Sequence, residues 1–537
     1  KNININSNIY FPKNNKDISN LFKEDKILNL IPRGLGRSYG DSSLGENIIS
    51  LKDYSKFVNF DEQSGILECS ANYSLNESDK LELINNCLRA NRERQINRYP
   101  IFKKLVVTAE WIKEDKTRVH YINDQFIADL LVWYHLSWIA ESVKLTNNRI
   151  QYLINKGEHY SLNDRKELMT IIGALLTGVI KRYKNLVRKG KVELSMTPYA
   201  HPIMPLMLDL NSAKEAMPDV ALPELESYSK GEQRVKWHLK KGIETFKHFF
   251  GEIPKGCWPS EGSVSKETLS LLEEFNFSWA ATGGNVLNHS LDASHLGKDT
   301  RTHHPYQVEG TSIPCFFRDD GLSDLIGFEY SKWHGDDAVH DFIHHLENIA
   351  EHDSNNSVVS IIMDGENAWE HYPDNGYHFL SALYRELAKH PFIELTTFSE
   401  CLEQKIEVKN LPTLVSGSWV YGTFSTWIGD KDKNRGWDML GDVKKVFDHA
   451  IETKQFTKKQ LERIEQQLAI CEGSDWFWWF GDYNPGEAVS DFETLFRLNL
   501  SNLYDLLNVK VPDYLTVSFT QGSGAPDMGG TMRKGSI

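Results

Sequence analysis

The chain has 537 residues, long enough to bury a large core and to form at least two domains, or one enlarged barrel with an appended bundle. Its 60 Lys and Arg residues stand against 74 Asp and Glu, a formal charge of -14, which repels nucleic acid and acidic membrane surfaces in the absence of a local basic patch. Cys69, Cys87, Cys257, Cys315, Cys401 and Cys471 form no CxxC pair, and no long apolar run or signal-like start is visible; neither a zinc cluster, a disulfide scaffold nor a membrane span is indicated, and a cytoplasmic protein is expected.

Residues 1–20 are polar and rich in Asn and Lys. KILNLIPRG then reads as a short strand entering a Gly-rich turn, and the stretch ending in GILECSANYSL holds two extended pieces around DEQSG, the pattern of a β-hairpin. From residue 76 the period turns helical, with Leu81, Ile84, Leu88 and Ile96 on one side and Asn76 or Ser78 as the cap. Long helices are predicted over 125–187, and SLNDRKEL starts the last of them with a capping sequence. Their aromatic cluster of Trp133, Tyr134 and Trp138 is read as helix packing rather than as a sugar platform. The basic stretch KRYKNLVRKGK at 181–191 reads as a solvated helix end.

Beyond residue 190 short apolar runs end in polar or aromatic residues and lead into helices. KVELSMTPY, KGCWPSEG, SWAATGG, SIPCFFRDD, SVVSIIMDGEN, IELTTFSE and TLVSGSW are the predicted strands, and their alternation with helices is βα grammar. Ligand sites in such folds lie beyond the C-terminal ends of strands. Two carboxylates stand there. Glu261 follows GCWPS and precedes a helix start, and Asp364 ends VVSIIM and precedes Gly365. A first-turn helix acid is the plain alternative for Glu261; for Asp364 the alternatives are a structural turn or a divalent-metal ligand, a role open to either Asp364 or Glu366. His residues in HPIM and THHPY lack a convincing metal spacing, and no metal site is predicted. Paired carboxylates suit glycosidic chemistry: a gap of about 5–5.5 Å permits a covalent glycosyl intermediate, and one of about 6.5–9.5 Å leaves room for water. Trp258, Trp369, Trp419, Trp427, Trp476, Trp478 and Trp479 lie around Gly-rich turns, where flat rings can stack on sugars or pack in the core.

SMTPYAHPIMPLM, GCWPSEGSVS, FFRDDGLSDLIGFEY, MDGENAWEHYPDNG, GSWVYGTFSTWIGDKDKNRGWDML and CEGSDWFWWFGDYN together resemble glycoside hydrolase family 57 over about residues 75–505. The resemblance implies an α/β fold, an incomplete (β/α)7 barrel followed by a helical domain. It implies a retaining hydrolase or transglycosylase of α-amylase or 4-α-glucanotransferase type, acting on an α-glucan or oligosaccharide without a cofactor. Glu261 matches the nucleophile and Asp364 the general acid/base; Glu193, His201, Trp258, Trp419, Trp427 and Asp482 match residues that hold or stack the sugar.

The family's early His-Gln-Pro type motif is absent before the likeness begins. Instead IPRGLGRSYGDSSLG resembles the pyrophosphate loop of FAD-linked oxidases, with Pro32, Arg33, Gly34, Gly36, Arg37, Ser38, Tyr39 and Gly40 as the implied FAD contacts. The expected division is therefore a partial oxidase-like β-rich fragment over 1–74, the barrel with inserted helices over 75–400, a helical region over 401–510 and a flexible tail over 511–537. The alternatives to a glycosidase are a catalytically silent glucan-binding protein and an FAD-linked oxidoreductase.

Overall fold

A computed structural model of the chain describes residues 75–296, 302–352, 357–365 and 368–524, and before them the backbone of five short strands. Of these, β1 (Asn8–Tyr10), β2 (Leu30–Arg33) and β3 (Asn47–Ser50) form a parallel sheet in the order β1-β3-β2. β4 (Phe60–Asp61) pairs antiparallel with β5 (Ile66–Leu67), as the predicted hairpin requires. Pro32 and Arg33 end β2, but the flavin-type loop that follows, Gly34, Gly36, Arg37, Ser38, Tyr39 and Gly40, lies outside the described residues.

The chain divides into two compact units. A helical unit takes in Lys1–Arg182, Glu329–Asp341 and Asp364–His390, and a sheet unit takes in Tyr183–Phe328, Phe342–Met363 and Pro391–Ile537. The helices expected as an insertion in the barrel domain thus form, with two later segments, a unit of their own.

In the helical unit Asn76 caps helix Glu77–Cys87 in a reciprocal pair with Asp79, and Ser161 and Asp164 do the same at the start of helix Leu162–Arg188. Such caps satisfy the orphan N–H groups of a first turn. Helices Pro100–Glu114 and Asp124–Trp138 enclose a core of Phe102, Val106, Leu130, Trp133 and Leu136. Trp133 is 2% exposed and donates its indole N–H to Gly157 O at 2.5 Å, so it is a packing residue.

In the sheet unit five strands are ordered β10-β8-β9-β7-β6: β6 (Gly256–Cys257), β7 (Trp279–Thr282), β8 (Tyr306–Val308), β9 (Pro314–Phe317) and β10 (Lys409–Leu411). β6, β7 and β9 run parallel, and single parallel bridges add Met196 beside Cys257 and Ser360 beside Arg318. IELTTFSE, expected as a strand, instead carries helix Phe398–Glu403, because Thr397 and Glu400 form a capping box. The flexible tail does not begin at 511. Phe519 packs edge-on against Phe480, Thr520 donates to Asp432, and Ser523 N–H donates to Asp482 O, which fixes the chain to residue 524. Among the described residues no helix is long and apolar enough to cross a membrane.

Candidate active site

The parallel strands end together, and the polar side chains that follow them define one end of the sheet. After β6, Pro259 enters a single turn, Ser260–Gly262, in which Glu261 takes the left-handed conformation (φ 55°, ψ 28°). For a residue with a Cβ this costs about 1–2 kcal/mol and is found where surrounding contacts over-determine the backbone. Those contacts are present: Gly262 N–H donates to Pro259 O (2.7 Å), Ser263 N–H to Ser260 O (2.9 Å), and Trp419 N–H to Glu261 O (3.1 Å). Val264 and Gly417 exchange both backbone hydrogen bonds, and Thr282 at the end of β7 donates to Gly262 O. Gly262 is itself left-handed, and a Cβ there would stand 2.8 Å from the Trp258 ring.

Trp419 also donates its indole N–H to Glu261 Oε2 at 2.9 Å. Its ring meets that of Trp258 edge-on at 5.6 Å, and the Arg318 guanidinium lies 5.4 Å from it. Glu261, Trp258 and Trp419 are half-buried, so a carboxylate and two indoles converge while remaining open to a ligand. Arg318, at the end of β9, is bound to Asp320 (2.7 Å), to Asp324 (2.6 Å) and to Ile362 O (2.7 Å). Ile362 N–H in turn donates to Ser323 Oγ at 3.2 Å. The residue two before Asp364 is thus held at both its N–H and its carbonyl.

Asp364 is half-buried and opens the Asp364–His390 segment of the helical unit, whereas Glu261 belongs to the sheet unit. Glu366, its alternative as a metal ligand, is outside the described residues. Among the described residues no group of three or more His, Cys, Asp or Glu side chains is arranged to hold a metal ion.

His201 belongs to a second group. It has a left-handed backbone (φ 59°), pairs through Nδ1 with Ser474 Oγ at 2.7 Å, and accepts Ser474 N–H at its carbonyl. Burial pulls its pKa down to about 4, so it is neutral at pH 7. Ser474 follows Glu472, a buried carboxylate bonded to Arg234, to Tyr228 OH (2.6 Å) and to His238 Nε2 (2.7 Å). Burial alone would raise the Glu472 pKa, but the Arg234 charge and the His238 hydrogen bond take it to about 2. The Asp475 carboxylate, next to Ser474, has no hydrogen-bond or ion-pair partner among the described residues, and burial pushes its pKa up to about 6. Sequence reasoning passed over Asp475. The signal was available in SDWFWW, an acid ahead of an aromatic helix, but Asp482 in the same motif was chosen instead.

Three expected sugar contacts stand elsewhere. Trp427 is 0% exposed and packs on Trp478 with ring centres 6.0 Å apart, so neither of its faces is open to a ligand; it is a core residue. Asp482 is exposed, and the contacts it makes are at its carbonyl, with Ser523 N–H and Oγ. Glu193 lies toward the opposite end of the sheet from Glu261: it accepts the Trp279 indole N–H at the start of β7 (3.0 Å) and Ser399 N–H (3.1 Å). It lines a separate cavity of about 330 Å³ with Val187, Phe246, Phe250 and Ile253. Its carboxylate joins β7 to the start of helix Phe398–Glu403.

The fold is similar to that of TK1436, a GH57 branching enzyme from the hyperthermophilic archaeon Thermococcus kodakaraensis, with a TM-score of 0.51 at 15% identity over 84% of this chain and 89% of that one. A GH57-type branching enzyme from Pyrococcus horikoshii (0.49, 15%, 87% and 97%) and the alpha-amylase AmyC from Thermotoga maritima (0.48, 15%, 72% and 82%) also match. At this identity the likeness concerns the fold, a mixed α/β architecture with a helical region. No curated protein matches. Residues 70–414 match the model of glycosyl hydrolase family 57, and the chain belongs to that family. The match begins after Gly40, the last of the residues expected to contact FAD.

Proposed function

We propose that the chain is a retaining hydrolase or transglycosylase of α-glucans, built on an incomplete (β/α)7 barrel, with Glu261 as nucleophile and Asp364 as general acid/base. The observation that carries the reading is the Glu261 turn: a strained left-handed acid at a strand end, its carboxylate fixed by the Trp419 indole. A nucleophile must be positioned before substrate arrives, and holding it on a rigid element supplies that order in advance.

In the first step Glu261 attacks the anomeric carbon, the C1–O bond breaks, and Asp364 gives its proton to the departing sugar oxygen. In the second, Asp364 takes a proton from water or from an acceptor hydroxyl, that oxygen attacks C1, and Glu261 is released as a carboxylate. Trp258 and Trp419 offer ring faces to the sugar. Neutral His201 and the unpartnered Asp475 carboxylate suit sugar hydroxyls, which donate and accept hydrogen bonds.

The test is sugar release and chain-length redistribution from maltoheptaose by the full chain and by Glu261→Gln. Turnover that disappears in the folded variant supports the assignment, and the product ladder separates hydrolysis from transfer. Absence of turnover by the folded parent contradicts it.

A further inference from the structure

Among the described residues, the stretch from Asp364 to the helix Tyr377–Leu387 forms only short turns. It runs through Ala368 and a single turn, Trp369–His371, into Pro373–Gly376, where Asp374 (φ 54°), Asn375 (φ 55°) and Gly376 (φ 75°) are all left-handed. Three successive residues in that region, two of them with a Cβ, do not hold such a shape alone. Part of the support is internal: the Trp369 ring lies against Gly376, where a Cβ would come within 2.7 Å of it, and against Tyr372 at 5.5 Å.

The rest comes from two stretches of the helical unit, residues 94–98 and 139–141, more than 200 residues earlier in the chain. Arg94 Nε donates to His371 O at 2.9 Å, and Arg94 Nη2 donates to Ser331 O at 2.9 Å. One turn further on, Arg98 Nη1 pairs with Asp374 Oδ1 at 2.9 Å, while both its terminal nitrogens engage Glu141 at 3.0 Å. Asn375 Nδ2 donates to Ile139 O at 3.2 Å. Arg94 and Arg98 sit on and just after the π-helical turn Arg92–Ile96, which Asn91 caps by accepting Arg94 N–H at 3.0 Å. That wide turn puts both guanidiniums on the segment, and the planar fork of Arg94 spans two carbonyls of different segments in a way an ammonium cannot.

We propose that Arg94, supported by Arg98, is a positioning residue for the general acid/base: it fixes the segment Asp364 belongs to, and so tunes proton delivery without touching the sugar. The inference rests on the reading of Asp364 above.

Leaving-group dependence tests it. Maltoheptaose needs a proton on its departing oxygen, whereas maltosyl fluoride loses fluoride with little acid assistance, and kcat/KM reports the first chemical step for both. In the full chain Asp364→Ala should lose about 10²–10⁴-fold with maltoheptaose and far less with the fluoride. Arg94→Ala should follow the same pattern in weaker form, about 10–100-fold against less than about 3-fold, the scale expected for a misplaced catalytic group. Arg94→Lys, which keeps the charge and loses the fork, should fall between; it carries the comparison if Arg94→Ala does not fold. Equal losses on both substrates, or none on either, overturn the inference while leaving Asp364 in place. An Asp364→Ala variant without leaving-group dependence overturns the acid/base reading, and the positioning role with it.

Discussion

Glu261 and Asp364 are placed by different means. Glu261 stands on a turn whose shape is fixed by its neighbours Pro259 and Gly262 and by a short backbone ladder with residues 417–419. Asp364 begins a segment held at His371 O and Asp374 by the Arg94 and Arg98 side chains, and at Asn375, whose amide donates to Ile139 O. Backbone sterics and hydrogen bonds to a sheet tolerate little drift. Arginine-to-carbonyl contacts leave a segment more easily shifted. The Glu261 turn is therefore rigidly held, and the turn at residues 373–376 is more easily shifted.

The largest expected effect treats the two carboxylates alike. Glu261→Gln and Asp364→Asn should each lower turnover of maltoheptaose at least about 10²-fold with unchanged melting temperatures; a smaller loss at either position contradicts the assignment of that residue.

The next prediction asks whether paired charge can hold a site as backbone does. Glu472→Gln leaves Arg234 buried without its carboxylate and should cost about 3–5 kcal/mol in denaturant unfolding. The Glu472 pKa lies near 2, below its usual 4.5, so the stability it confers is present above about pH 4.5 and is lost as pH falls toward 2. In acid melts the parent should decline across that window and the variant should decline less; parallel curves would contradict the pairing.

Glu261→Gly sharpens the contrast from the other side. Glycine enters the left-handed region without penalty, so this inactive variant should be no less stable than the parent, and up to about 1 kcal/mol more stable. A marked destabilisation would show that the side chain, rather than the backbone, holds the turn.

The smallest effect concerns His201 and Asp475. A His pKa near 4 gives stability present above about pH 6.5 and lost on acidification toward 4. An Asp pKa raised to about 6 does the reverse, favouring the folded state below its usual 3.8 and losing that contribution as pH rises through 6. Asp475→Asn should therefore melt higher than the parent at pH 7 and match it near pH 4. A lower melting temperature at pH 7 would place an unseen partner on the carboxylate.

Glu261 was legible in the sequence because the features that set it at a strand end are local, namely an apolar strand, a Pro, a Gly and a helix start; the contacts from Thr282, Gly417 and Trp419 were not. The hairpin before residue 70 and the caps at Asn76 and Ser161 were legible for the same reason. The Thr397 capping box was equally local, yet the β-branched run before it drew a strand prediction. β8 and β10 escaped notice because a strand of three residues has no period to read. Trp419 and Trp427 share one motif, and only tertiary packing decides that one ring is half-buried and the other enclosed. Glu193 has the composition of a pocket acid, but its end of the strand depends on a pairing seen as a single bridge at Met196. Arg94 was illegible because its partners, His371 and Ser331, lie more than 200 residues away.

The most direct test of the central claim is to trap the glycosyl-enzyme with a 5-fluoro-glucosyl fluoride, digest the labelled chain and locate the ester by mass spectrometry. The account predicts one glucosyl label per chain, on the peptide containing Glu261, and none in Glu261→Gln. A label on another residue, or product formed from the fluoride without any covalent adduct, would contradict it.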